Sequence, residues 1–261
     1  MTDGPTAPTL LAVAHGTQDS AGIATYRALL DEIRAQRPDL TARLAFLGLA
    51  PPTPAQVLAD LRGPVVLVPL LLSTGHHIRG DLPAVRAASP HLDIRVAAAL
   101  GPDPLLAAAL GDRLAEAGWS PARSGSDAVV LTAAGSTDPD AVADTVLMAD
   151  LLRQRLGYRV IPAYLSGNSP TPAYAVGALR AAGHRRVAVA RYLMAPGHFA
   201  RRARGAGACL TSGPLGEHPD VARLVLKRFD EVSGCAVRPR DGAAPAGREA
   251  RDVSTGPRAR R

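Results

Sequence analysis

The 261 residues include a single lysine, Lys227, and two cysteines, Cys209 and Cys235. Lys227 stands in Leu226-Lys227-Arg228 without a GxxxxGK frame, which excludes a Walker A phosphate loop. The cysteines form neither a CxxC pair nor a disulfide framework, so zinc ribbons and small secreted scaffolds are excluded. Aromatic residues make up 3%, too few for a stacking platform that would hold single strands or RNA. No apolar run approaches the roughly 18 residues of a membrane-spanning helix. There is no GxSxG elbow and no GxGxxG after a strand, so serine-hydrolase and dinucleotide readings lose their usual support. Met1 to Pro8 carries no basic n-region, and a cytoplasmic protein is expected.

The net charge of +7 suggests nucleic acid, but its location argues otherwise. Ala236 to Arg261 holds seven arginines and three acids, a net +4 that leaves +3 for the body. A mildly basic body with a solvated basic tail is expected, with neither nucleic acid nor membrane as partner. The Gly/Ala/Pro/Arg mixture after Glu231 has no apolar period, and the tail 236–261 reads as disordered.

The rest of the chain alternates strand and helix. Leu10 to Ala14 is a short apolar run that stops at His15-Gly16-Thr17, as a buried strand feeding a loop would. Ile23 to Ala35 has helical spacing, Ala42 to Leu47 is a second strand, and Pro54 opens a short helix. Val65 to Leu72 is a continuous apolar run, the mark of a strand covered on both faces. The polar loop Ser73-Thr74-Gly75-His76-His77 follows, and Asp81 is placed to cap the next helix. Leu92 to Ala98 is a fourth strand, and Pro104 to Ala117 a closing helix. This order predicts an α/β fold with a parallel sheet flanked by helices.

The pattern then repeats at a period of about 120 residues, too long for a solenoid. Val129 to Ser136 echoes Leu11 to Thr17, and Asp138 answers Asp19. Asn168-Ser169-Pro170-Thr171-Pro172 echoes Pro51-Pro52-Thr53-Pro54, and Val187 to His198 echoes Val65 to His76. Two duplicated flavodoxin-like domains are therefore expected, over residues 9–119 and 127–232, with Ser120 to Ser126 as the linker. The halves differ in one chemical respect: Ala134 stands where His15 stands.

In the five-stranded order 2-1-3-4-5, strands 1 and 3 flank the switch point where ligands bind. His15 after strand 1 and His76/His77 after strand 3 are thus expected at one crevice. Neutral imidazole is a good ligand for iron, cobalt, nickel and zinc, and also a base near neutral pH. Two or three histidines without a cysteine or carboxylate partner would leave open metal positions, as a transfer site requires. His91, His184 and His218 are read as ordinary loop or cap residues.

Ala14-His15-Gly16-Thr17 and Pro69 to Pro83 closely resemble the sirohydrochlorin chelatases, ATP-independent enzymes that insert iron or cobalt into a tetrapyrrole. The family pattern G-x-H-x-x-x-D-[IL]-P is matched by Gly75, His77, Asp81, Leu82 and Pro83. The resemblance spans about residues 9 to 232 and implies the long two-domain form. It carries over His15 and His77 as metal ligands and proton acceptors. It places His76, Arg79, His198 and Tyr192 against the acidic tetrapyrrole, with Arg191, Arg201 and Arg202 as further candidates for a basic rim. The second half, including Met194 and Phe199, walls the cleft and holds the macrocycle. No cofactor is implied beyond the substrate metal, Fe2+ ahead of Co2+, and a monomer is expected. Two other readings stand beside this one. A metal or tetrapyrrole carrier would use the same site without turnover. A histidine phosphatase resembles R-H-G, but Ala14 replaces the arginine that would clamp phosphate.

Overall fold

The structure, a computed structural model, describes residues 7–75, 77–120 and 126–234. The first half runs β1 (Thr9–Ala14), α1 (Ser20–Gln36), β2 (Ala42–Phe46), α2 (Pro54–Ala59), β3 (Val65–Pro69), α3 (Leu82–Ala87), β4 (Ile94–Val96) and α4 (Pro104–Glu116). The second runs β5 (Asp127–Ala133), α5 (Pro139–Leu156), β6 (Arg159–Tyr164), α6 (Pro172–Ala181), β7 (Arg186–Tyr192), α7 (His198–Arg204), β8 (Leu210–Thr211) and α8 (Pro219–Ser233). The basic tail 236–261 lies outside the described residues.

Each half forms one parallel sheet, in the orders β2-β1-β3-β4 and β6-β5-β7-β8. The central strands β1, β3 and β5 are buried along their whole length. Helices cover both faces there, which is why these strands read as unbroken apolar runs rather than alternating ones. The five-strand order expected from the sequence is shortened to four among the described residues. Between β4 and α4, and between β8 and α8, no further strand forms among the described residues.

The duplication extends to the turns. Thr53 and Thr171 cap α2 and α6 with side chains that accept from Gln56 N and Tyr174 N. Asp19 and Asp138 do the same for α1 and α5. Each cap satisfies an amide that the first helical turn leaves without a partner.

The halves do not close independently. α4 packs against α5, α8 and β7, while α8 packs back against α1, β3 and β4. The last helix of the chain thus covers the first sheet. Its polar face is tied there: Arg37 grips Asp230 through two bonds of 2.6 and 2.7 Å, and Lys227 reaches Asp103 at 2.7 Å. Arg228 donates to the carbonyls of Ala99 and Leu100. One apolar core accordingly contains residues of both halves, from Leu10 to Phe229.

Candidate functional site

Two features place His15, one in the β1–α1 turn and one in the loop after β2. Gly16 has φ +98°, and a Cβ there would lie 1.8 Å from the Gly48 carbonyl oxygen, so only glycine fits. The Gly48 amide in turn donates to the His15 carbonyl at 3.1 Å. His15 is therefore pinned, exposed, at the carboxyl end of a buried strand. The second half builds the same turn around Gly135, with φ +95° and the Ser166 oxygen 1.8 Å from where its Cβ would lie. Ala134 occupies the place of His15 there.

β3 lies beside β1, and Leu70 still donates to the Val13 carbonyl at 2.8 Å beyond the strand's end. Its loop thus leaves the sheet next to His15. Ser73-Thr74-Gly75 is followed by a π-helical turn, His77–Asp81, that runs straight into α3. His76 and the side chain of His77 lie outside the described residues. Asp81, expected to cap α3, makes no side-chain cap bond; its own φ and ψ of −72° and −41° are helical, so the turn before it already continues the helix.

The carboxyl ends of both sheets open on one cavity of about 830 Å3. His15, Thr17, Leu49, Thr74 and Ile78 line it from the first half; Ala134, Ser136, Met194, His198 and Phe199 line it from the second. Thr74 is fixed by α5, since its amide donates to an Asp144 carboxylate oxygen at 2.7 Å. His198 is exposed at the start of α7, with Phe199 edge-on 5.6 Å away. Among the described residues, no group of three or more His, Cys, Asp or Glu side chains is gathered to hold a metal ion.

Two arginines at matched positions of the repeat span the halves. Arg201, on α7, donates to Asp19 at 2.6 Å. Arg79, in the π-helical turn, bonds Asp138 at 3.1 Å and Asp140 as well. Each arginine thus meets the capped helix start of the opposite half, where a carboxylate is already favoured by the helix dipole. The Arg201 bond, with the Ala21 amide, holds the Asp19 carboxyl below its ordinary value. Asp140 and Asp138 push Arg79 up.

One expectation about a side chain needs correction. Arg191 is no rim residue: it is 7% exposed, and its guanidinium donates to the Ser212 and Ala200 carbonyls. Burial holds it below its ordinary pKa. Tyr192 is 2% exposed yet lines the cavity, and it donates its hydroxyl to the Leu72 carbonyl at 2.6 Å, so it also ties β7 to the loop after β3. Burial pushes that hydroxyl up strongly and keeps it neutral. Arg201 lines the cavity and Arg79 lies in the turn beside it, both engaged with aspartates. Asp144 and Leu49 are not distinctive in the sequence: Asp144 is one acid among several on α5, and Leu49 is one apolar residue in a turn. His218 caps α8, as an ordinary residue would.

The CbiX family model matches residues 9–117 and 128–232, once on each half. A sirohydrochlorin ferrochelatase of Bacillus subtilis (strain 168) is 29% identical over 172 residues, 62% of this chain and 64% of the relative, so the match spans less than two thirds of that protein. Among solved structures, SirB from Bacillus subtilis with Fe3+ superimposes with a TM-score of 0.71 at 24% identity, covering 87% of this chain and 95% of that one. The cobalt complex of the sirohydrochlorin chelatase SirB from Bacillus subtilis subspecies spizizenii gives 0.69 at 23%, with the same coverage. At these identities the structures establish a shared fold. With both halves matched by the family model over nearly all described residues, the chain belongs to the CbiX family.

Proposed function

We propose that this protein is a chelatase that inserts a divalent metal into sirohydrochlorin without ATP, Fe2+ to give siroheme ahead of Co2+ for cobalamin. One observation carries the reading: His15, at the end of β1, and the loop after the adjacent β3 open into a single cavity walled by both halves. About 830 Å3 is within the range of roughly 300–1,000 Å3 typical of small-molecule sites. The name of the Bacillus subtilis relative points the same way.

In this reading His15 and His77 share two tasks. Insertion exchanges two pyrrole N–H protons for one M2+. The imidazoles hold the ion with few enough ligands to release it, and accept the protons as the metal–nitrogen bonds form. Holding His15 on a strand end sets the height of its ring against the macrocycle. His76, Arg79, His198 and Tyr192 contact the substrate, the arginine through the carboxylates of the tetrapyrrole, and Tyr192 also fixes the loop after β3. For Arg79 and Arg201 to bind those carboxylates they exchange one anionic partner for another, leaving Asp19 and Asp138 to their helix caps and Asp140 to solvent. No nucleotide or redox cofactor enters the scheme, and the protein acts as a cytoplasmic monomer without nucleic acid or membrane.

An anaerobic assay with metal-free sirohydrochlorin and Fe2+ or Co2+, followed by absorbance, tests the reading. Many turnovers per protein are expected. Stoichiometric binding without turnover would assign the carrier function instead, and phosphate-ester hydrolysis the phosphatase one.

A further inference from the structure

We infer that Leu49 is a substrate-positioning residue whose side chain is held out to pack on the face of the tetrapyrrole ring; the inference rests on the chelatase reading. Leu49 has φ +64°, the one non-glycine residue with positive φ among the described residues. An L side chain is sterically penalised in that conformation, and such strain persists where the surroundings impose it. The surroundings here are the turn that pins His15.

The repeat shows what the turn itself needs. Leu47 donates to the Ala14 carbonyl as Leu165 does to Ala133, and Gly48 donates to His15 as Ser166 does to Ala134. Leu49 therefore corresponds to Gly167, which has φ +68°. The same backbone is built once with the residue that suits it and once with leucine. Packing does not ask for the leucine either, since it is 59% exposed, yet it lines the cavity.

The two halves differ in the same direction at neighbouring points: His15 against Ala134, and Leu49 against Gly167. The half that keeps the histidine also carries the strained apolar side chain. A conjugated macrocycle has apolar faces and a carboxylate-bearing edge. Arg79 and Arg201 suit the edge, and Leu49 suits a face. Because the residue before Leu49 is hydrogen-bonded to His15, a ring resting on Leu49 lies at a set distance from the imidazole.

The test compares Leu49→Gly, Leu49→Ala and Leu49→Met by anaerobic titration with metal-free sirohydrochlorin and by steady-state insertion. Glycine removes both contact and strain; alanine removes the contact and keeps the strain. Both are expected to weaken tetrapyrrole binding about tenfold, the affinity that a leucine's lost apolar contact converts to. KM should rise more than kcat falls, and Leu49→Met should bind within threefold of wild type. Leu49→Gly should melt at or above the wild-type temperature. A loss below threefold in either small variant, an equal loss in Leu49→Met, or a lowered melting point of Leu49→Gly overturns the inference. If the wild-type protein itself fails to bind the tetrapyrrole, the chelatase reading falls and takes this one with it.

Discussion

Arg201 and Asp19 sit 182 residues apart in sequence and join at 2.6 Å across the mouth of the cleft. The pair is a charged link between the α7 of one half and the capped start of α1 in the other. Its pH dependence follows from the direction of the Asp19 shift. A carboxyl held below its unfolded value stabilises the fold above that value and loses the contribution as pH falls through the folded one. Asp19→Asn keeps the cap and removes the charge. Its melting temperature should lie slightly below wild type at pH 6, since the pair is exposed. The two proteins should converge as the pH drops below the ordinary carboxylate value of 3.8. A difference that persists or widens in acid would show that the Asp19→Asn variant is destabilised for another reason.

The exchange of α8 onto the first sheet predicts how the chain unfolds. A fragment of residues 7–119 lacks the helix that covers β3 and β4, and leaves part of a shared core in water. It should show no cooperative transition by circular dichroism, while residues 7–234 should melt once in calorimetry. A fragment that folds alone would mean α8 is an accessory.

Much of the fold is legible in the sequence. Unbroken apolar runs such as Val65 to Leu72 reveal doubly covered strands, and His15-Gly16-Thr17 against Ala134-Gly135-Ser136 reveals both the repeat and its asymmetry. Thr53 and Thr171 announce their helices through the proline that follows each. The partners of Arg79 and Arg201 were not legible, because a charge pattern shows that a guanidinium is present but not how two domains face each other. Likewise an apolar helix face does not say which of two sheets it covers, as α8 covers the first. Asp81 matched a cap by composition, yet the π-helical turn before it already supplies helical geometry.

The two equivalent glycines allow the catalytic and structural roles of the turns to be separated. Gly16→Ala and Gly135→Ala both force a Cβ against a carbonyl oxygen at 1.8 Å and against a positive φ. Each should lose more than about 2 kcal/mol in urea denaturation. At a temperature where both remain folded, Gly16→Ala should lower kcat sharply because it moves His15, whereas Gly135→Ala should act mainly on stability. Equal kcat losses would show that both turns serve the chemistry.

His198 provides a check on the role of the second half. It lines the cavity from the half in which Ala134 replaces the histidine. His198→Ala should raise KM more than it lowers kcat, as loss of uniform binding does. A large fall in kcat at unchanged KM would instead place its imidazole among the reacting groups.

The central claim is that His15 handles the metal and the pyrrole protons. Single-turnover insertion of Co2+ into sirohydrochlorin by His15→Ala, mixed in excess over the tetrapyrrole, tests it most directly. Alanine at this position has a native precedent in Ala134 on the same turn, so the variant should keep the wild-type melting temperature. General acid–base catalysis alone contributes about 100-fold or more, and the insertion rate should fall at least that far with tetrapyrrole binding retained. A folded His15→Ala protein that inserts metal within a few-fold of the wild-type rate would contradict the account.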